Sequence, residues 1–335
     1  MQAYNEAKKR CAWQEALSDL ITDPKELLTL LHLDPGLLEA ARAAVQQFPL
    51  KVPRGFVARM QKGNPNDPLL KQVLPLDLEL SVTPGYDSDP LREKKANPIS
   101  GLLHKYHGRV LVTLTSACAV HCRYCFRRYF SYDDNNPGMR GWEKIFNYIR
   151  ENESISEVIL SGGDPLAVSD KLLSLFSEQL ARIPHVKRLR IHTRLPIVLP
   201  ERITAEFTQW LTQLPFHSVI VIHANHPLEI NEQVKNALLS LRNTGTLILN
   251  QSVLLKGIND EANILIELSE TLFAAGVVPY YLHVLDKIQG AAHFDFAESR
   301  ACELHAELNK HLPGYLVPRL VREESGKPAK TFISY

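Results

Sequence analysis

The chain has 335 residues, of which 45% are hydrophobic, enough to bury the core of one large α/β domain with an appendage. Its formal net charge of +1 argues against a nucleic-acid or membrane-surface partner. The first ten residues are polar and no apolar run reaches the roughly 18 residues of a membrane span, so neither a signal peptide nor a membrane anchor is predicted.

Short helices are predicted for the first fifty residues. One helix face is indicated by apolar residues at three- and four-residue spacing, namely Trp13, Ala16, Leu17, Leu20 and Ile21. Asp23-Pro24 and Asp34-Pro35 each place an N-cap residue before a proline suited to the first helical position. A further helix is predicted over 52–63, and turn-rich sequence leads to a domain boundary near residue 98. We expect residues 1–98 to form a helical N-terminal extension with a packing role.

From residue 109 the pattern changes to short apolar or β-branched runs that alternate with helical stretches. Six strands are predicted, at 109–115, 157–161, 188–193, 218–224, 247–254 and 279–285. Helices are predicted between them, including 170–182, 202–214, 230–243 and 261–275. A repeat of about 30 residues is typical of right-handed βαβ units with parallel strands. Such units form either a partial barrel or an open doubly wound sheet.

Three of the five cysteines follow the first predicted strand in a C-x3-C-x2-C run: Cys118, Cys122 and Cys125. Thiolates are soft ligands suited to iron–sulfur clusters or zinc, and three of them in one loop do not suit disulfide pairing. Closed zinc sites and ordinary cubane clusters take four protein ligands, so three cysteines leave one metal position open. The alternative is a zinc knuckle completed by His121, Cys11 or Cys302. Clustered, unpaired cysteines predict a reducing, cytoplasmic location.

Polar and small residues lie within or just after the carboxyl-terminal part of each predicted strand, where the site of either architecture is expected. They are the cysteine loop, 161–166, 192–194, 223–226, Asn250 with Gln251, and Asp286. Gly162 and Gly163 have two interpretations. They allow a turn with unusual dihedral angles, or they let bare backbone approach a ligand.

The cysteine spacing, with Tyr124 before the last cysteine, resembles that of the radical S-adenosylmethionine (SAM) enzymes. That resemblance implies a [4Fe-4S] cluster whose open iron binds SAM, and it favours an α/β fold with a partial (β/α)6 barrel. Six segments in order resemble the lysine 2,3-aminomutase family: 101–109, 118–128, 161–170, 190–204, 250–260 and 279–286. The core is then expected over 99–295, and a C-terminal helix with a cofactor-binding lysine over 296–335.

The resemblance implies SAM contacts at the strand ends. Asp164 stands where the family's Gly-Gly-Glu motif has its glutamate. The implied SAM-binding residues are Ser161, Gly162, Gly163, Asp164, His192, Arg194, Asn225 and Gln251.

Pyridoxal 5′-phosphate (PLP) is a second cofactor that only the resemblance implies. The family binds it covalently through a lysine near the C-terminus, which corresponds to Lys330, with Lys327 as the neighbour to exclude. Lys105, Tyr106 and Arg109 match the positions that hold the PLP phosphate, for which cations and hydrogen-bond donors are suited.

The implied substrate, L-lysine, needs a cation for its carboxylate and acids for its ε-ammonium. Arg127 matches the family's carboxylate-binding arginine, whose planar fork suits bidentate pairing. Asp286 matches one of two ammonium-binding acids. The second falls on Glu323, or on Glu324 if the register shifts by one residue.

The expected activity is an isomerase that converts L-lysine to β-lysine, in the R form, and depends on an external one-electron reductant. The branch of the family that the sequence resembles implies that the β-lysine is used by a ligase that modifies elongation factor P. The alternatives are an aminomutase for another amino acid such as glutamate, a radical SAM enzyme without PLP, and a zinc-binding interaction module. Cys302 is the only cysteine after residue 125, so the intersubunit zinc of catabolic family members is not expected, and the oligomeric state stays open.

Overall fold

The computed structural model describes residues 11–132 and 134–334. The polar stretch 1–10, for which no signal peptide is predicted, lies outside the described residues. The N-terminal segment contains helices α1 (Ala12–Ser18), α2 (Pro24–Leu30), α3 (Leu38–Gln47), α4 (Arg54–Val57) and α5 (Pro68–Lys71), and strands β1 (Leu20–Ile21) and β2 (Val52–Pro53).

The predicted helix starts hold, whereas the helix predicted over 52–63 is wrong. Helix α2 begins at Pro24, and the Asp23 side chain accepts a hydrogen bond from Lys25 N at 2.9 Å. Residues 52 and 53 instead form β2, which pairs antiparallel with β1, and helix α4 ends four residues later. Tertiary pairing between distant segments has overridden the local helical pattern at this point.

The core is a nine-stranded sheet in which strands adjacent in sequence are also adjacent in space. Six parallel strands form its centre, within two residues of the predicted positions. The strands are β3 (Leu102–Tyr106), β4 (Arg109–Thr115), β5 (Glu157–Gly162), β6 (Arg188–Thr193), β7 (His217–Ile222), β8 (Leu247–Val253), β9 (Val278–His283), β10 (Arg319–Arg322) and β11 (Thr331–Phe332). Strands β3, β10 and β11 were not predicted.

The strand order distinguishes between the two architectures that the sequence left open. A doubly wound sheet reverses its strand order at a switch point, but β4 to β9 follow one another in a single direction, as around a barrel. In the described residues β3 and β11 remain as edges, so the partial barrel is confirmed and it is not closed. The helices are α6 (Gly138–Glu151), α7 (Asp170–Leu180), α8 (Leu195–Val198), α9 (Ala205–Gln213), α10 (Glu232–Arg242), α11 (Ala262–Ala274) and α12 (Glu298–His311).

Within residues 11–132 and 134–334, no helix has the length and apolar character needed to cross a bilayer.

The main hydrophobic core is continuous across residue 98. It joins Leu27, Phe56 and Leu70 of the N-terminal segment to Val112 and Leu160 of the sheet.

Glu79 ties the N-terminal segment to the cysteine loop. This carboxylate is buried and accepts from Arg123 Nε at 2.8 Å, Arg123 Nη2 at 2.5 Å and Arg128 Nη2 at 2.7 Å. Arg123 Nη1 also donates to Phe48 O at 2.9 Å. Since buried charges are tolerated only when paired, the two guanidinium groups of the loop depend on an acid supplied from outside it.

We expect the substitution Glu79→Gln to lower the free energy of unfolding by about 3–5 kcal/mol, because it leaves two buried guanidinium groups without a counter-charge. Denaturant unfolding followed by circular dichroism measures this difference. Glu303→Gln, which breaks an exposed pair with Arg300 on α12, is the matched control and should leave the midpoint unchanged. Equal midpoints for Glu79→Gln and the unsubstituted protein would show that Glu79 does not hold the loop.

Candidate active site

A cavity of about 580 Å³ opens at the carboxyl ends of the parallel strands. All the site residues predicted from the sequence line it, although they come from segments more than 200 positions apart. They are Lys105, Tyr106, Arg109, Cys118, Cys122, Cys125, Arg127, Ser161, Gly162, Gly163, Asp164, His192, Arg194, Asn225, Gln251, Asp286, Glu323 and Lys330. The structure therefore brings the whole set together in one place.

The three thiols lie on one wall of this cavity, in the loop after β4. Cys125 N donates to Cys122 O at 3.0 Å, which closes a tight turn, and His121 N donates to Lys51 O at 2.9 Å. Burial raises the pKa of Cys118, and it raises the pKa of Cys125 to about 11, with the other thiols adding to both rises. Such thiols stay protonated unless a cation stabilises their thiolates, and a bound metal cluster supplies that charge.

The residues proposed to complete a zinc knuckle are directed elsewhere. The His121 ring stacks on Phe48 at 5.0 Å, and its Nδ1 donates to Pro49 O at 2.8 Å. Cys11 is exposed, and Cys302 packs against a separate apolar cluster under α12. Across 11–132 and 134–334, no three Cys, His, Asp or Glu side chains converge on a single ion position. The side chains of His121, Cys11 and Cys302 therefore supply no fourth donor beside the three loop thiols.

The Gly162-Gly163 pair is required by backbone packing. Gly162 has a φ of +120°, and a Cβ at Gly163 would lie 2.4 Å from Ala117 O in the cysteine loop. The Asp164 carboxylate accepts from Thr193 Oγ1 at 2.7 Å and from Arg194 N at 2.7 Å. The two glycines thus allow the end of β5 to approach the cysteine loop after β4, and Asp164 links the end of β5 to the end of β6. Gly162 O also accepts a hydrogen bond from Tyr132 Oη at 2.7 Å.

Arg194 and Asn225 belong to a buried polar network beside Cys122. Arg194 Nη1 donates to Cys122 Sγ at 2.7 Å, and its Nη2 donates to Glu229 Oε2 at 3.0 Å. Gln72 Oε1 accepts from Arg194 Nη2 at 2.5 Å and from Asn225 Nδ2 at 3.0 Å. Gln72 and Glu229 were not predicted as site residues. This network places a guanidinium, rather than solvent, against one of the three thiols.

Histidines at the ends of the central strands form another part of the wall. His223 Nε2 lies 2.9 Å from Gln251 Nε2 and its ring meets His192 edge-on at 6.0 Å. Burial lowers the pKa of His223 and of His283 to about 3, so both are neutral near pH 7. The Nε2 atoms of His192 and His283 are buried without a partner. Because an unpaired buried nitrogen is costly, these atoms mark where a bound group would donate or accept.

Cations and acids alternate at the other end of the cavity. Glu93 pairs with Arg127 and Lys105, and Glu323 Oε1 lies 2.9 Å from Lys105 Nζ. Glu323 Oε2 lies 2.6 Å from Lys330 Nζ. Glu93 was missed, because an acid inside a run of charged residues carries no signal in the sequence.

The structure also separates the alternatives near the C-terminus. Lys330 Nζ is 5.7 Å from the centre of the Tyr281 ring on the cavity wall, whereas Lys327 is exposed. Glu323 lines this cavity, while the Glu324 carboxylate accepts from Thr331 Oγ1 and lines a neighbouring one. Lys105, Tyr106 and Arg109 lie on the same wall as Lys330. These residues fit a phosphate-bearing cofactor, since cationic groups and unpaired histidine nitrogens face the same space.

Comparison with known proteins gives one family model and several full-length relatives. Residues 112–268 match the Radical SAM superfamily. The chain is 48% identical to L-lysine 2,3-aminomutase of Escherichia coli, over 95% of this chain and 93% of that protein. It is 47% identical to the Haemophilus influenzae L-lysine 2,3-aminomutase, over 95% of this chain and 94% of that protein. The Clostridium subterminale L-lysine 2,3-aminomutase is 36% identical to it, over 95% of this chain and 77% of that protein.

Asp286 predicts a measurable pH dependence. Burial raises the pKa of this carboxyl to about 7, with Glu323 adding to the rise. A carboxyl that binds its proton more tightly in the folded state makes the protein less stable as pH rises between the unfolded and folded pKa values. Asp286→Asn should therefore stabilise the unliganded protein more at pH 8 than at pH 5. Between pH 4 and pH 7, ionisation of the buried Asp286 lowers the free energy of unfolding by roughly 4 kcal/mol in total, at 1.36 kcal/mol per pKa unit.

Thermal unfolding at both pH values tests this expectation. Glu324→Gln, for which no such burial is involved, is the control. The expectation is contradicted if the unfolding temperature of Asp286→Asn differs from that of the unsubstituted protein by the same amount at pH 5 and at pH 8.

Proposed function

Because this chain belongs to the L-lysine 2,3-aminomutase family of radical SAM enzymes, which are isomerases, we propose that it converts L-lysine to β-lysine. One observation carries the proposal. A single cavity is lined by three half-buried thiols, by the cations Lys105, Arg109 and Lys330, and by Arg127 together with the acids Asp286 and Glu323.

The three thiols are the proposed ligands of a [4Fe-4S] cluster, and the strand-end residues around them are the proposed SAM contacts. Arg194 holds Cys122 through its N–H group, and Glu229 neutralises the guanidinium. When bound, the cluster and SAM supply an organic radical, and PLP supplies the group that carries the migrating amine.

Lys330 is the proposed attachment point for PLP, with Lys105, Tyr106 and Arg109 around its phosphate. Lys330 Nζ donates a hydrogen bond to Glu323 Oε2 at 2.6 Å, and this contact fixes the direction of the long lysine side chain. The unpartnered Nε2 of His283 faces the same region and is available to the cofactor. These contacts orient the cofactor before a substrate enters.

The substrate ends are matched by opposite charges. We propose that Arg127 binds the α-carboxylate, and that Asp286 and Glu323 bind the ε-ammonium. Two acids at the distal end favour lysine over glutamate, since a second carboxylate placed there would meet like charges in a low dielectric.

The finer points rest on the resemblance of the sequence. We propose that the product is (R)-β-lysine, that it supplies a ligase acting on elongation factor P, and that an external one-electron donor reduces the cluster. Five free cysteines, three of them clustered, support a location in the reducing cytoplasm.

Turnover can be tested directly. We expect protein reconstituted anaerobically with iron, sulfide and PLP to convert L-lysine to β-lysine when SAM and dithionite are added, as measured by chiral chromatography. Cys118→Ala should lose both the iron and the conversion, because one cluster ligand is missing, whereas Cys302→Ala should keep both. Equal iron content and turnover in Cys118→Ala would contradict the proposed cluster.

The attachment of PLP can be tested without turnover. Borohydride reduction followed by peptide mass spectrometry should find the cofactor on the peptide that contains Lys330. Lys330→Ala should abolish this modification, because the amine is absent, and Lys327→Ala should retain it. Modification that persists in Lys330→Ala would place the cofactor on another residue.

A further inference from the structure

Glu93 is a buried acid for which the proposed function has no role. We propose that Glu93 is a positioning residue that aims the guanidinium of Arg127 at the carboxylate of the substrate. This inference rests on the proposed function, since it takes L-lysine as the ligand of Arg127.

The local chain is arranged to bury this one side chain. Glu93 is 3% exposed, whereas its neighbours Arg92, Lys94 and Lys95 are not buried. Arg92 has a φ of +50°, a left-handed conformation that residues other than glycine rarely adopt. Glu93 N donates to Asp89 Oδ1 at 2.9 Å at the start of this turn. The turn therefore directs one acid inward and keeps three cations outside.

Glu93 occupies one edge of the Arg127 guanidinium. Its Oε2 accepts from Nε at 2.7 Å, and its Oε1 accepts from Nη2 at 2.9 Å. Arg127 Nη1 donates to Ser161 Oγ at 3.1 Å. A guanidinium has five N–H groups, so one on Nη1 and one on Nη2 remain. These two form the end-on edge, which suits a second bidentate contact with a carboxylate.

The same acid links both anion-binding parts of the proposed site. Glu93 Oε1 lies 2.9 Å from Lys105 Nζ, the proposed phosphate ligand. Burial raises the pKa of Glu93, but the attraction of Arg127 and then Lys105 outweighs it, so the net pKa is below its ordinary value. Glu93 is therefore ionised, and it fixes the distance between the guanidinium and the ammonium.

Two effects of Glu93 on substrate binding have opposite signs, which makes the inference testable. Its charge weakens the attraction of Arg127 for a carboxylate, whereas its bidentate contact holds the guanidinium in one orientation. If charge alone mattered, Glu93→Gln would bind L-lysine more tightly. If positioning dominates, Glu93→Gln binds it more weakly, because the amide presents N–H groups to a donor and breaks the fork.

The test is equilibrium dialysis of labelled L-lysine against the protein loaded with cluster, SAM and PLP, with the cluster left oxidised so that no turnover occurs. We expect Glu93→Gln to raise the dissociation constant for L-lysine at least tenfold and to leave that for SAM within twofold. Lys94→Gln, on the exposed side of the same turn, is the matched control and should change neither constant.

Three outcomes would overturn the inference: an unchanged constant for L-lysine in Glu93→Gln, tighter binding of L-lysine, or an equal loss of L-lysine and SAM, which indicates a merely structural role. Failure of the proposed function is seen separately. In that case the unsubstituted protein itself binds no L-lysine, and the role of Glu93 falls with it.

Discussion

The pairing of loop arginines with acids from the N-terminal segment is the interaction on which this site depends. Arg123 lies inside the cysteine loop, and Arg127 and Arg128 lie two and three residues after Cys125. Glu79 neutralises the first and third, and Glu93 neutralises the second. Because each guanidinium is largely withdrawn from water, loss of either carboxylate leaves a buried charge without a partner, which is strongly destabilising. The N-terminal segment is thus a source of counter-charge for the site as well as a packing layer.

This arrangement explains how three thiols are held without a bond between them. The backbone of the cysteine loop is fixed on one side by the N-terminal segment and on the other by the turn after β5. There Gly163 allows the closest approach, with no room for a Cβ beside Ala117 O. Asp164 then connects that turn to the end of β6 through Arg194 N. The thiol positions are consequently determined by three neighbouring strand ends rather than by the loop alone.

The parts predictable from the sequence are those with a local or periodic signal. The six central strands follow from short apolar or β-branched runs that alternate with helical stretches, and the cysteine spacing and polar strand ends are local motifs. Glu79, Glu93 and Gln72 were missed because ion pairs and hydrogen bonds between distant segments leave no periodic trace. Strands β10 and β11 are short and were hidden for a similar reason. The wrong helix at 52–63 shows the converse, a local pattern overridden by pairing with residues 20 and 21.

The charges in the cavity also bear on which substrate it suits. Glu93 and Glu323 pair with Lys105, Arg127 and Lys330, and Asp286 lines the same cavity. In a low-dielectric site such a mixed set of acids and bases accepts a ligand with oppositely charged ends more readily than a ligand with two like-charged ends. The carboxylate and ε-ammonium of lysine meet that condition. A ligand with two carboxylates would add negative charge beside Asp286, whose pKa of about 7 already reflects burial and the repulsion of Glu323. In the proposed binding mode, Asp286 and Glu323 therefore select the substrate by charge as well as by position.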